Sequence, residues 1–456
     1  MWDQQLIEKY NITGPRYTSY PTALQFDETF TSIDLAKAIT DLAPNQPVSL
    51  YLHIPFCHSI CHYCACNKVI TKNKQRAVEY LGYLAVEVEH MGKLVGNRPV
   101  SLMHWGGGTP TFLSDEQIVH VVKMLESAFN IQRKSQDQNH EFSIEIDPRT
   151  VGANTLSVLR ELGFNRVSIG IQDFNPKVQE AVNRVQSEAM SRSVIEQSRE
   201  LGYHSVNIDL IYGLPHQTPD TFARTVEQVI DIRPDRLSLF NYAHLPHRFK
   251  PQRRINNEDL PTAKQKLQIF QRSIEQLTAA GYHYIGMDHF ALPDDELAKA
   301  QREGRLHRNF QGYTAHQENE LIGLGVSAIS QINGCYAQNH RDLYDYYESL
   351  DNGDLAIWRG CFSEDDDMVR QAVIMQLICH FTLSFDQVEQ RFNLCFTDYF
   401  ADELEDIRAL EHDGLVTIKN NQITVTPIGR LLIRNVCMIF DAYLGGLATG
   451  NYSQAI

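Results

Sequence analysis

The chain has 456 residues, of which 43% are apolar and 21% charged, with a net charge of −15; at roughly 100–200 residues per domain this length implies two or three domains. No apolar run is long enough to span a bilayer, and the start Met1-Trp2-Asp3-Gln4-Gln5 lacks the basic-then-apolar order of a signal peptide. The acidic excess excludes general nucleic-acid binding, which needs basic surface, and nine cysteines, clustered and odd in number, describe no disulfide framework, so a reducing, cytoplasmic setting is expected.

In chain order, residues 1–30 include the turn-prone run Gly14-Pro15-Arg16-Tyr17-Thr18-Ser19-Tyr20-Pro21-Thr22 and read as an extended arm that packs on a domain surface. From residue 49 to about 290, strand-like runs alternate with helix-like ones. The strands are Ser49–Phe56, Ser101–Trp105, Phe142–Asp147, Arg166–Phe174, Ser205–Gly213, Arg236–Ala243 and Tyr284–Phe290. The intervening helical patterns are Arg76–Val95, Asp115–Phe129, Ala153–Leu162, Ser187–Leu201, Pro219–Ile232 and Thr262–Ala280. Repeated βα units imply parallel strands with helices outside. A doubly wound sheet needs strands apolar on both faces, whereas Phe142, Ile144 and Ile146 oppose Glu141, Ser143, Glu145 and Asp147, and Val206, Ile208 and Leu210 oppose Asn207 and Asp209. The polar faces would line a lumen, so the fold class is α/β, an incomplete (β/α) barrel with its site at the carboxyl ends of the strands.

Directly after the first strand, Cys57-His58-Ser59-Ile60-Cys61-His62-Tyr63-Cys64-Ala65-Cys66 holds four of the nine cysteines. The spacing C-x3-C-x2-C suits three ligands on an iron–sulfur cluster better than two pairs on zinc. Three protein ligands leave one iron of a four-iron cluster open to a chelating molecule. The competing reading is a four-cysteine zinc knot closed by Cys66, whose single-residue spacing from Cys64 is tighter than usual. Next, Gly106-Gly107-Gly108-Thr109-Pro110 lies between a strand and a helix, where backbone groups can approach a ligand closely. Glu145 and Asp209, near lumen-facing strand ends, can accept from a ribose diol or an ammonium, or form a salt bridge within the barrel. Gln172 and Arg184 follow as ligand contacts or ordinary polar lining. His53, His58, His62 and His104 form no H-E-x-x-H pattern and read as polar lining.

Beyond residue 290 come an acidic helix-like stretch, Pro293–Glu303, the polar segment Leu306-His307-Arg308-Asn309-Phe310-Gln311-Gly312-Tyr313, and the Gly-spaced run Leu321–Ser327. A boundary is expected near Gly360–Asp366. Residues 367–456 read as helices with one hairpin, Gly414–Val425, turning at Lys419-Asn420-Asn421-Gln422. That order resembles a winged helix, but the acidic run Glu364–Asp367 favours a lid or packing role. The expected division is an arm at 1–30, a catalytic partial barrel at 31–358 and a mainly α-helical C-terminal domain at 359–456.

The cysteine loop is the signature of radical S-adenosylmethionine (SAM) enzymes. Together with Gly-Gly-Gly-Thr-Pro, Arg-Tyr-Thr-Ser-Tyr-Pro-Thr and His-Arg-Asn-Phe-Gln-Gly-Tyr, it makes the chain resemble, from Tyr10 to about Tyr443, the oxygen-independent coproporphyrinogen III oxidases of haem biosynthesis. The resemblance implies a [4Fe-4S] cluster on Cys57, Cys61 and Cys64, with Cys66 outside the ligand set. It implies two SAM molecules, one against Tyr51, Gly107, Glu145 and Ile329, the other against Tyr63, Gly108, Thr109, Gln172, Arg184, Asp209 and Ala243. Many relatives have Phe at Tyr63 and Gly at Ala65. The implied reaction converts two propionates of coproporphyrinogen III to vinyl groups through a 5′-deoxyadenosyl radical, and no protein side chain is assigned a catalytic role beyond cluster and SAM. Arg16, Arg302, Arg305 and Arg308 are candidates for the substrate carboxylates. Further implied are a reducing donor such as flavodoxin, a final electron acceptor, and a monomer with no nucleic-acid or membrane partner. Haem-binding chaperones and radical tetrapyrrole methyltransferases are the rival readings within the superfamily; chaperone-like relatives typically have Phe at Cys66 and lack the Arg16–Thr22 arm. A zinc-stabilised DNA-binding module is the rival outside it.

Overall fold

The structure, a computed structural model, describes residues 2–131, 140–316 and 320–444. The chain divides into two compact units, one of Phe26–Ile269 with Glu318–Phe362, the other of Met1–Gln25, Phe270–Gln317 and Ser363–Ile456. No helix among the described residues is long and apolar enough to cross a membrane.

The first unit is built on a sheet whose strands we number β1 Val48–Ile54, β2 Pro99–Gly107, β3 Glu141–Ile146, β4 Arg166–Gln172, β5 Ser205–Tyr212, β6 Arg236–Asn241, β7 Glu320–Leu324, β8 Ile329–Ile332, β9 Cys335–Asn339 and β10 Ile357–Phe362. Strands β1 to β6 lie side by side in chain order, all parallel. β7 runs parallel along the other edge of β1, and β8, β9 and β10 continue antiparallel beyond it. The result is the open, incomplete barrel that the alternating strands predict. Burial follows the alternation: Phe142, Ile144, Ile169 and Ile208 are wholly buried, while their polar neighbours are partly exposed. Each such side chain stabilises the fold by about 1.5–3 kcal/mol.

The helices begin where local chemistry favours them. Ser114 and Gln117 form a reciprocal capping box before Asp115–Ala128. Thr218 caps Pro219–Ile232, whose proline needs no N–H in the first turn, and whose Phe222, Val226 and Val229 face the core.

Two elements differ from the sequence reading. Tyr284–Phe290 is not one continuous strand but two, His283–Gly286 and His289–Ala291, paired as a hairpin with Met287 at a positive φ of 52° where the chain reverses. The strand that flanks β1 on the side away from β2 is Glu320–Leu324, in the run that reads only as Gly-spaced. Its Gly323 is required, since a Cβ there would lie 2.6 Å from the Ile329 carbonyl oxygen.

In the second unit the N-terminal segment is extended only in part. Asp3 caps a helix, Gln4–Tyr10, and Tyr17 and Tyr20 beyond it are fully buried. Tyr17 donates to the Asp441 carboxylate at 3.0 Å, and the buried Arg434 donates to the Pro15 carbonyl at 2.8 Å. Helix Asp365–His380 opens on a capping box between Glu364 and Asp367, which uses part of the acidic run. Thr382–Ser384, Val416–Lys419 and Gln422–Val425 form a small antiparallel sheet. Its hairpin turns on Asn420 and Asn421, with φ of 52° and 56°, as a two-residue turn of the primed type requires.

Candidate active site at the carboxyl ends of the parallel strands

Pro55 ends β1, and the chain re-pairs at once: Phe56-Cys57 runs parallel to Val69-Ile70, so the cysteine loop is tied at both ends. Inside it Cys64 N–H bonds to the Cys61 carbonyl (3.2 Å), and Lys68 Nζ donates to the carbonyls of Cys64 and Cys66, both at 3.1 Å. All four sulfurs are free thiols. Burial pushes the Cys57 thiol up to about 11 against a hydrogen bond with Thr109 Oγ1 at 3.4 Å. A hydrogen bond with Cys66, and the nearby Lys68 ammonium, pull Cys64 down. His62 is held by the Ala181 carbonyl at 3.1 Å. Burial, then the charge of Lys74, lowers the pKa of His58.

Behind the loop, the glycines of β2 leave a cradle. A Cβ on Gly106 would lie 3.1–3.2 Å from the Glu145 carboxylate; on Gly107, whose φ is 115°, it would lie 2.9 Å from the His53 ring and the Ile54 carbonyl; on Gly108 it would lie 2.6 Å from the Pro55 carbonyl. His53 Nε2 faces the Asn67 carbonyl at 3.1 Å, so it carries the proton, and Nδ1 must accept from Tyr51 OH, also at 3.1 Å. Burial holds this imidazole neutral. Tyr51 stacks on His104, which bonds Ser143 Oγ at 2.7 Å and lies 3.6 Å from Glu145. Tyr51 also pairs with Gly323 of β7, which brings Ile329 close by.

On the other side of the loop stands a buried charge cluster. Arg184 donates to Asp147 at 3.0 Å and to the Gly170 carbonyl at 2.7 Å, and its Nη1 lies 3.7 Å from Cys61 Sγ. Arg149 makes a second ion pair to Asp147 at 2.6 Å and reaches Cys61 Sγ at 3.9 Å. Burial alone would raise the Asp147 carboxyl, but the two guanidiniums hold it below its usual range. Arg184 Nε is buried with no partner among the described residues. Gln172 sits at a bulge between β4 and β5 with φ of 69°, a left-handed conformation costly for a side chain. Asp209 has no cation paired with it among the described residues. It accepts from Ser168 Oγ at 2.9 Å and Asn207 Nδ2 at 2.8 Å, and burial, then the Glu145 charge, pushes it up to about 6.

The strand ends therefore bring together Tyr51, Cys57, Cys61, Cys64, the glycine run, Thr109, Glu145, Gln172, Arg184 and Asp209. Tyr63 and Ala243 join them through a residue the sequence reading misses. Gln252, 1% exposed, donates from one amide nitrogen to the carbonyls of Tyr63 (3.0 Å) and Ala243 (3.2 Å), while its oxygen accepts from Leu245 N–H at 2.6 Å. Asp147 and Arg149 are site residues too; Asp147 is marked in the sequence by its place on the polar strand face beside Glu145, and Arg149 by nothing beyond the Asp-Pro-Arg step at the strand end. Lys266 is a fourth, a half-buried amine on the Tyr242 carbonyl at 3.1 Å that burial pushes down to about 8. The four candidate arginines lie in the other unit. Arg16 pairs with Asp288, Arg302 donates to the Pro293 carbonyl at 3.0 Å, and Arg305 pairs with Glu303. Arg308 is buried over the Tyr313 ring, 4.8 Å from its centroid, and donates to the Arg16 carbonyl at 3.3 Å.

Comparison with known proteins accords with this arrangement. Residues 51–229 match the radical SAM superfamily model and residues 364–432 the HemN C-terminal domain model. The chain is 54% identical to an oxygen-independent coproporphyrinogen III oxidase of Pseudomonas aeruginosa across 100% of its own length and 99% of the relative's. It is 51% identical to the Escherichia coli protein of that name, over 97% of this chain and 96% of that one. A solved structure of the E. coli coproporphyrinogen III oxidase, described as a radical SAM enzyme, superposes with a TM-score of 0.92 at 49% identity, covering 97% of this chain and 99% of that one.

Proposed function

Since the chain belongs to the oxygen-independent coproporphyrinogen III oxidases, a family of radical SAM enzymes, we propose that it converts two propionate side chains of coproporphyrinogen III to vinyl groups, giving protoporphyrinogen IX for haem biosynthesis. Full-length identity of 54% favours this over the haem-chaperone, methyltransferase and zinc-module readings.

The residues fit the cofactors of the family. Cys57, Cys61 and Cys64 would hold a [4Fe-4S] cluster, with Cys66 outside the ligand set. Arg184 and Arg149, both within 4 Å of Cys61 Sγ, offset thiolate charge. The glycine cradle, which a Cβ at 106, 107 or 108 would fill, fits an organic ligand beside the cluster. When bound, cluster and SAM supply a one-electron cleavage that yields a radical able to take hydrogen from a propionate β-carbon.

The chain's own part is binding and orientation. Tyr51, Gly107, Glu145 and Ile329 would hold one SAM; the Tyr51–His53 hydrogen bond fixes the tyrosine ring at the site's wall. Tyr63, Gly108, Thr109, Gln172, Arg184, Asp209 and Ala243 would hold a second. Arg184 Nε, which has no hydrogen-bond partner, and the part-buried Asp209, which has no cation paired with it, both among the described residues, supply a donor and an acceptor for it. Arg16, Arg302, Arg305 and Arg308 remain the proposed partners of the substrate carboxylates. A reducing donor such as flavodoxin would supply electrons, a further acceptor would take those released, and the enzyme would work as a cytoplasmic monomer. In this reading 31–358 is the catalytic part, preceded by the arm at 1–30 and followed by the helical part at 359–456.

The observation that carries the proposal is the three-cysteine loop closed onto the Arg184–Asp147 pair at the strand ends. Anaerobic incubation with coproporphyrinogen III, SAM and dithionite is expected to release CO2 and give a divinyl product. An untouched or methylated tetrapyrrole refutes it. Equilibrium dialysis is expected to find two SAM molecules per chain.

A further inference from the structure

The chain is acidic overall, yet the segment closing the cysteine loop is not. Between Asn67 and Val78 stand Lys68, Lys72, Lys74 and Arg76, with no Asp or Glu among them. Lys72, Lys74 and Arg76 are exposed, and Ile70 within the same segment is an exposed apolar residue, 38% accessible. In a chain of net charge −15 such a tract is a local reversal of sign.

Its position matters more than its charge. Ile70 pairs with Cys57 in the short parallel ladder, and Thr71 N–H bonds to the Cys57 carbonyl at 3.0 Å. Laddered backbones lie about 5 Å apart, so the basic surface stands one strand from a proposed cluster ligand. Lys74 Nζ comes within 3.5 Å of His58 Nε2, beside that ligand, and lies 3.9 Å from the Phe112 ring centroid. Electron tunnelling decays exponentially with distance. A protein that reduces the cluster must therefore approach near this face, and complementary charge is what steers a weak, transient redox encounter.

We propose that Lys68–Arg76 is the docking surface for an acidic one-electron carrier protein, with Lys72, Lys74 and Arg76 steering it and Ile70 at the contact. This rests on the reading of the cysteine loop as a cluster site. Two of its residues also serve the fold: Lys68 ties the loop's carbonyls, and Lys74 donates to the Phe112 carbonyl.

The test uses the reconstituted enzyme carrying Lys72→Glu with Arg76→Glu. Both side chains are exposed, and a Glu at position 76 sits in the first turn of helix Gln75–Val95, where the helix dipole favours it. Lys37→Glu with Lys123→Glu, two exposed lysines on other helices, makes the same change in net charge and serves as control. Binding of an acidic flavodoxin is measured by surface plasmon resonance across a salt series, and turnover is measured with flavodoxin and with dithionite. The expected result is a Kd for flavodoxin raised about tenfold in the first variant, with a flattened salt dependence; the control keeps wild-type affinity, and the dithionite-driven rate of the first variant is retained. Unchanged affinity in the first variant, or equal weakening in the control, overturns the proposal. Wild-type enzyme that fails with dithionite counts against the proposed reaction, while the binding measurement still decides the docking surface.

Discussion

Gln252 shows how much a single buried amide can organise. It meets three backbone groups from three places, the cysteine loop at Tyr63, the end of β6 at Ala243, and Leu245. Replacing it by Leu keeps the bulk but strands those groups, each worth roughly 1–3 kcal/mol when buried unpaired. Gln252→Leu is expected to destabilise the fold by about 2–4 kcal/mol, read from urea denaturation, and to lower SAM affinity as Tyr63 and Ala243 lose their common anchor. Asp209 gives a pH signature. Burial and the Glu145 charge raise its pKa to about 6, so the carboxylate that accepts from Ser168 and Asn207 is ionised only above that pH. SAM binding measured by equilibrium dialysis is expected to weaken as the pH falls through about 6, and Asp209→Asn is expected to flatten that dependence. At this scale the sequence made some partners legible and others not. The cysteines stand out by spacing alone, and Asp209 by its place on a polar strand face. Gln252 lies in a short 3-10 turn with no periodicity, and nothing in Lys-Pro-Gln-Arg-Arg marks its glutamine as fully buried.

Among the elements, helix Gln75–Val95 is tied to the sheet by polar groups. Glu87, 2% exposed, accepts from Gly325 N–H at 2.7 Å, Tyr346 OH at 2.6 Å and Asn339 Nδ2 at 2.6 Å. Tyr80, two turns earlier on the same helical face, donates to the His53 carbonyl at 2.7 Å. The same helix thus braces both β1 and the turn after β7. Burial outweighs the three donors and raises the Glu87 carboxyl to about 7 from an ordinary 4.5. The folded state therefore holds this proton more tightly than the unfolded chain does. Stability from this group is greatest below the ordinary value and declines as pH rises toward 7, by about 3 kcal/mol in all. Glu87→Gln has no such proton to lose. Its melting temperature relative to wild type is expected to rise between pH 5 and pH 8, whatever constant offset the altered hydrogen bonds introduce; a flat difference would refute this. The six parallel strands were legible because a half-polar lumen imposes strict alternation. β7 was not, because Gly323 and Gly325 answer close contacts with Ile329 and Tyr80 rather than strand propensity. The hairpin at His283–Ala291 was misread because Met287 carries a positive φ that its residue type does not signal.

For the whole molecule, the order of segments bears on how the parts can fold. The chain leaves the first compact unit twice, and the second is assembled from an N-terminal, a middle and a C-terminal segment. A change of style near Gly360–Asp366 is visible in the sequence; the return of the N-terminal segment to the C-terminal helices is not, because pairings hundreds of residues apart leave no local pattern. Tyr17 and Tyr20 are buried with partners at Asp441 and Ala442, Asn435 donates to the Tyr10 carbonyl at 2.9 Å, and Arg434 is buried on Pro15. A chain ending at Phe362 keeps every strand of the main sheet and all the cysteines of the loop, but removes these partners. Two tyrosines that each bury about 150–250 Å² would then face water or collapse on other surface, and the Tyr17 hydroxyl would lose its acceptor. The 1–362 fragment is expected to aggregate or bind a hydrophobic dye, and to fail to take up iron, whereas the full chain reconstitutes. A soluble fragment with a native-like near-ultraviolet spectrum would instead mean that the C-terminal helices are a separable module, and that the buried tyrosines contribute little to holding the N-terminal segment.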